Sequence, residues 1–167
     1  MNHLTEILNS GHKKNEFSCG KEMLDNYLHR QANQDIKRKL SACFVIKNQE
    51  TNLLKGYYTL ANNSIRQETI PKQFQKKLPK SYSSIPTTLL GRLAIDNRFQ
   101  GKWVGKLLLI DALKRSYEIS KNIGSFAVVV DPLDEDAENF YDKYGFIKLP
   151  DSGKMFLPMN IIKKLFE

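Results

Sequence analysis

The sequence predicts a mixed α/β fold, and three observations predict it. Strand-like and helix-like segments alternate along the chain. Two runs, "TTLLGRLAI" (87–95) and "GSFAVVVDP" (124–132), are nearly continuous in apolar residues, as strands buried on both faces are. Each of these runs is followed by a helical pattern, the layout of a crossover unit.

Taken in order, "HLTEIL" (3–8) reads as a short first strand. In "FSCGKEMLDNYLHRQANQDIKRKL" (17–40), Leu24, Tyr27, Leu28 and Gln31 recur at helical spacing before a basic, turn-rich second half. "SACFVIK" and "LLKGYYTLANNSI" form a hairpin across the polar turn "NQETN". The stretch 66–86, interrupted by prolines and rich in lysine, reads as a surface loop or short helix. The strand 87–95 leads through a loop into a helix whose Leu108, Leu109, Ala112, Leu113 and Tyr117 share one face. After the strand ended by Pro132, Asp134 is placed to cap a helix carrying Ala137, Phe140, Tyr141 and Tyr144. Gly145 is placed to end it in the left-handed conformation. "FIKLPDSGKMFLPM" closes the chain as a hairpin.

The 167 residues suit one domain, 1–167, with 41% hydrophobic and 26% charged residues, ordinary for a soluble protein. No apolar run approaches the ~18–20 residues that span a bilayer. The first residues lack a signal-peptide layout, so the expected address is the cytoplasm, with no membrane partner. Two cysteines far apart and three scattered histidines make no metal-ligand pattern, and no metal is expected. Cys19 and Cys43 are expected reduced and buried. A net charge of +8 favours anionic partners. Its clusters are Arg30, Lys37, Arg38 and Lys39, and then Lys72, Lys76, Lys77 and Lys80; either is also read as a solvated face.

The loop between strand and helix, "QGKWVGK" (100–106), carries the chemistry. A helix start offers free N–H groups and a positive dipole end to an anion, and glycine lets the backbone come close. A nucleotide-triphosphate loop is excluded, because "GKWVGK" is one residue short and Leu107 stands where a magnesium-binding hydroxyl is needed. No GxGxxG occurs.

"LGRLAID...QGKWVGKLLLIDAL" resembles the acetyl-CoA-binding segment of the GNAT superfamily of acetyltransferases, whose loop reads Gln/Arg-x-x-Gly-x-Gly/Ala. Gln100, Gly101, Lys102, Trp103, Val104 and Gly105 match except at Trp103, which replaces a glycine. "FSCGKEMLDNYLHRQA", "GYYTLA" and "AENFYDKYGF" resemble the branch that serves as toxins in bacterial toxin–antitoxin pairs.

The resemblance implies a mostly antiparallel central sheet flanked by helices. It implies that backbone groups of Leu93, Ala94 and Ile95 hold the acetyl and pantetheine end of acetyl-CoA, and that amides of residues 101–106 hold its pyrophosphate. Lys102 and Lys106 are placed to add charge, and the indole of Trp103 to lie along the cofactor. A helix-opening position needs φ near −60°, so Trp103 is expected to sit there without backbone strain.

Tyr141 matches the family's tyrosine that protonates the leaving thiolate; by spacing alone it reads as core. Asp96, Asp131 and Asp111 are candidate general bases, none singled out. An α-amine, partly neutral at pH 7, needs a base less than a lysine does. With the basic surplus and its two clusters, the branch resemblance implies as leading reading a toxin that acetylates aminoacyl-tRNA, its partners that tRNA and a cognate antitoxin. The alternatives are a protein or small-amine acetyltransferase and a non-catalytic binding module. Whether the chain pairs into a homodimer stays open.

Overall fold

A computed structural model describes residues 2–167. It holds seven strands in one sheet, ordered β1-β2-β3-β4-β5-β7-β6. These are β1 (Glu6–Ile7), β2 (Ala42–Lys47), β3 (Leu54–Arg66), β4 (Ser84–Ile95), β5 (Ala127–Val130), β6 (Ile147–Lys148) and β7 (Met155–Pro158). The β4–β5 ladder is parallel, whereas β1–β2, β2–β3, β5–β7 and β6–β7 are antiparallel. The helices are α1 (Glu22–Asn26), α2 (Ala32–Lys37), α3 (Lys72–Gln75), α4 (Val104–Ser120), α5 (Glu135–Lys143) and α6 (Met159–Lys163). No helix among the described residues is long and apolar enough to cross a membrane.

Two compact units make up the chain: Met1–Ala61 with Gly91–Arg115, and Asn62–Leu90 with Ser116–Glu167. In the first, Phe17, Tyr27, Leu28, Cys43, Tyr57 and Ala94 belong to one apolar cluster. In the second, Ile70, Ile85, Val129 and Phe156 belong to another. Both cysteines are free and buried. The helical stripe behaves as its period requires: Leu108, Leu109, Ala112, Leu113 and Tyr117 are all buried. Burying each large apolar side chain stabilises by about 1.5–3 kcal/mol.

Helix α5 starts where its chemistry dictates. The Asp134 carboxylate accepts from the Ala137 amide at 2.9 Å, three acidic residues fill the first turn, and Gly145 takes φ +90° just beyond the end.

Three features differ from the sequence expectation. Five residues of π-helix, Tyr27–Gln31, separate α1 from α2, a local widening that no spacing of apolar residues announces. Strand β4 begins at Ser84, upstream of the apolar run. Pro86 fits there because it needs no amide partner, while its carbonyl accepts from Phe126 N at 2.8 Å. A short helix, α6, follows the last hairpin and buries Met159 and Ile162.

Candidate active site

Strand β4 is the spine of the site. Its ladder with β5 covers residues 88–90 only, so residues 91–95 run on past it. On that edge their backbone groups meet no strand partner among the described residues, and an unpaired edge is suited to hydrogen-bonding an amide-bearing ligand. Strand β3 comes very close here: a β-carbon on Gly56 would stand 2.7 Å from Ala94 O. Only glycine permits that approach.

The turn after β4 is pinned from several directions. Asp96 Oδ1 accepts from Arg98 N at 2.9 Å and Arg98 Nε at 2.8 Å; Oδ2 accepts from Arg98 Nη2 at 2.9 Å and Ser18 N at 3.1 Å. Burial alone would raise the Asp96 pKa, but these donors outweigh it and hold the carboxyl below the usual range. Gln100 Nε2 donates to Ile95 O at 2.9 Å and Cys19 O at 3.0 Å. Its side chain is thus spent on holding the loop, leaving its backbone for a ligand.

Gly101 takes φ +74°, with open space where a β-carbon would project. Trp103 takes φ +68°, which overturns the expectation of an unstrained helical φ. Its carbonyl accepts the first helical bond, from Leu107 N at 3.1 Å, so Trp103 is the residue flanking the helix rather than its first turn. The left-handed conformation there suits glycine; tryptophan bears a steric cost. The indole is 69% exposed. The ammonium of Lys106 stands 5.5 Å from its ring and that of Lys102 5.9 Å from the Phe99 ring. The amides of Val104, Gly105 and Lys106 open α4 and have no intrahelical acceptor. A strand edge without a partner, an open glycine turn and helix-start amides together fit the pantetheine and pyrophosphate of acetyl-CoA.

Tyr141 lies on α5, buried against Phe140 and Phe146, with ring centroids at 5.3 and 5.2 Å. Burial pushes its phenol pKa up, so the hydroxyl keeps its proton. Among the described residues that hydroxyl has no hydrogen-bond partner.

Of the three aspartates, Asp111 is committed like Asp96. It is buried and accepts from Thr5 Oγ1 (2.6 Å), Tyr58 OH (2.7 Å) and Leu4 N (2.7 Å). Burial raises its pKa and these bonds, with Arg115 nearby, more than reverse the rise. Asp131 is exposed. Among the described residues no group of three or more His, Cys, Asp or Glu could hold a metal ion.

The two basic clusters lie in different units. Arg30, Lys37, Arg38 and Lys39 are exposed on and just after the helical run 22–37. Lys72, Lys76 and Lys80, with Gln67, Gln75 and Leu78, line an open concavity of about 490 Å³; Lys77 is exposed beside them. Gln67 Nε2 braces this segment by donating to Pro79 O at 2.9 Å and Tyr82 O at 2.6 Å. Reading the sequence missed Gly56 and Arg92, both inside strands. A glycine within an apolar strand was the available signal for the first.

A mixed sheet whose extended strand feeds a glycine-turned helix start offers the backbone donors that an acetyl-CoA-dependent transferase needs. No family model matches the chain. It is 30% identical over 162 residues to a probable toxin TacT of Sinorhizobium fredii (strain NBRC 101917 / NGR234), covering 92% of this chain and 89% of that one. It is 33% identical over 130 residues to a tRNA-acetylating toxin of Mycobacterium tuberculosis (strain ATCC 25618 / H37Rv), covering 78% and 75%. The solved structure of AtaT complexed with acetyl-methionyl-tRNAfMet superposes with TM-score 0.89 at 30% identity, over 99% of this chain and 100% of that one. A mutant AtaT toxin bound to acetyl-CoA and the C-terminus of the antitoxin AtaR superposes with TM-score 0.80 at 27% identity, over 97% and 96%. The chain belongs to the GNAT-type family of tRNA-acetylating toxins.

Proposed function

We propose that this protein is an acetyl-CoA-dependent N-acetyltransferase that acetylates the amino group of aminoacyl-tRNA and thereby stops translation. A cognate antitoxin is its protein partner and the cytoplasm its place of action. Residues 1–167 serve as one catalytic domain. The observation that carries this reading is the likeness of nearly the whole chain to AtaT in complex with acetylated aminoacyl-tRNA.

Acetyl-CoA supplies the acetyl group as a thioester. Backbone groups of Leu93, Ala94 and Ile95 hold the acetyl and pantetheine end, and the amides of residues 101–106 hold the pyrophosphate, with Lys102 and Lys106 adding charge. As the amine nitrogen bonds to the carbonyl carbon and the C–S bond breaks, Tyr141 donates its O–H proton to the sulfur. The amine sheds a proton to water. Of the three candidate bases, the two that are buried, Asp96 and Asp111, are both enclosed by donors. That arrangement suits an α-amine with a pKa near ~8 over a lysine near ~10.

The test is transfer of labelled acetyl from acetyl-CoA to aminoacyl-tRNA, compared with free amino acids, peptides and small amines. Label that enters tRNA and is released by hydrolysing the aminoacyl ester is the expected result. Label in peptides or amines alone would overturn the reading. Expression should also arrest growth, and co-expression of the cognate antitoxin should relieve the arrest.

A further inference from the structure

The guanidinium of Arg92 stands over the Tyr27 ring, its carbon 3.5 Å from the ring centroid. The ring itself is fixed. Tyr27 is buried, its hydroxyl donates to Asp35 Oδ2 at 2.8 Å, and it runs nearly parallel to Tyr57. It sits at the start of the π-helical segment Tyr27–Gln31, and such widenings recur at functional sites. The position of the Arg92 guanidinium is thereby set against a fixed ring.

Arg92 has five N–H donors and is only partly exposed, yet among the described residues no atom accepts from it and no carboxylate pairs with it. The buried carboxylate of Asp35 accepts from the Tyr27 hydroxyl. A half-buried guanidinium without an acceptor is costly, and a planar fork with a free edge matches the two oxygens of a phosphate. Alternation along β4 puts Arg92 on the same face as Ala94, which joins Tyr27 in one cluster, and directly before the strand segment proposed to hold the acetyl group.

We propose that Arg92, stacked on Tyr27, grips a phosphate of the acceptor tRNA next to its reactive end. This rests on the acetyltransferase reading above. Bond counting favours the acceptor over the cofactor. In an aminoacyl-tRNA the first phosphate is one ribose and one ester from the amine. In acetyl-CoA the first phosphate is a whole pantetheine arm from the thioester. The exposed Arg30, Lys37, Arg38 and Lys39 of the same unit add the positive field that a polyanion follows.

The experiment compares wild type with Arg92→Gln and Arg92→Lys. It measures binding of bulk uncharged tRNA against salt, KM for bulk aminoacyl-tRNA, and KM for acetyl-CoA. Arg92→Gln should weaken tRNA binding and raise its KM by about 10- to 100-fold, the range for a lost charged hydrogen bond. It should flatten the salt slope by roughly one phosphate contact and leave the KM for acetyl-CoA within about twofold. Arg92→Lys keeps the charge and most of the packing but not the fork, so an intermediate loss with an unchanged salt slope is expected; it decides the matter if the Gln variant does not fold. Wild-type tRNA affinity in both folded variants would overturn the proposal and make Arg92 a packing residue. A raised KM for acetyl-CoA with tRNA binding intact would overturn it by assigning the phosphate to the cofactor. A wild type that binds tRNA but acetylates none would sink the catalytic reading instead, while the binding comparison still judges Arg92.

Discussion

Gly56 and Ala94 face each other so closely that any side chain on Gly56 would collide with the Ala94 carbonyl at 2.7 Å and with Leu108 Cδ1 at 2.7 Å. The strand proposed to hold the acetyl group is thus positioned by the absence of a methyl on its neighbour. Gly56→Ala should destabilise the fold by roughly 1–3 kcal/mol, the usual cost of overpacking, and weaken acetyl-CoA binding by moving Ala94. Urea denaturation and calorimetry check both. A variant as stable and as tight-binding as wild type would show that β3 and β4 part freely.

Trp103 gives a prediction of opposite sign. Trp103→Gly removes the cost of a left-handed tryptophan and should raise stability by up to about 1 kcal/mol. Acetyl-CoA affinity should fall if the exposed indole covers the cofactor. Since Trp103 is the single tryptophan, its emission in the wild type should change on titration with acetyl-CoA. Unchanged emission at saturating cofactor would place the indole away from the ligand.

The Asp111 network makes stability depend on pH. Its pKa is depressed in the folded state, so the contribution is fully present above the ordinary aspartate value near ~3.9 and is lost as pH falls through the folded value. Melting temperature should therefore drop on acidification from pH 5 to 3. Asp111→Asn, which weakens the bonds from Thr5, Tyr58 and Leu4, should melt lower at pH 7 and show a shallower drop. Parallel melting curves for the two proteins would assign the acid sensitivity elsewhere.

Tyr141→Phe keeps the ring between Phe140 and Phe146 and removes the proton donor. Its kcat should fall by roughly 10²–10⁴-fold while acetyl-CoA affinity and melting temperature hold. Wild-type turnover would return Tyr141 to a packing role.

Changing Lys72, Lys76, Lys77 and Lys80 together to Gln should raise the KM for aminoacyl-tRNA and flatten its salt dependence. Acetyl-CoA hydrolysis without acceptor should hardly change. A KM indifferent to both salt and the four changes would remove this concavity from the tRNA surface.

The sequence by itself determined the helices and strands whose logic is local. The buried stripe from Leu108 to Tyr117 is written in a 3.6-residue period. The start and end of α5 are written in Asp134 and Gly145, whose effect reaches only a few residues. The loop at Gly101 was legible because a glycine-flanked strand-to-helix turn has few other uses. Tertiary structure decided what those signals leave open. Asp111 meets Thr5 across 106 positions, and Arg92 meets Tyr27 across 65, so no spacing rule relates them. The φ of Trp103 followed from where α4 begins, one residue later than the loop motif suggested, and helix ends depend on what they pack against. Gly56 became necessary only when β3 was laid on β4. Local propensity reaches a few residues along the chain; which aspartate is enclosed, and which arginine is left without an acceptor, depends on partners that folding alone brings together.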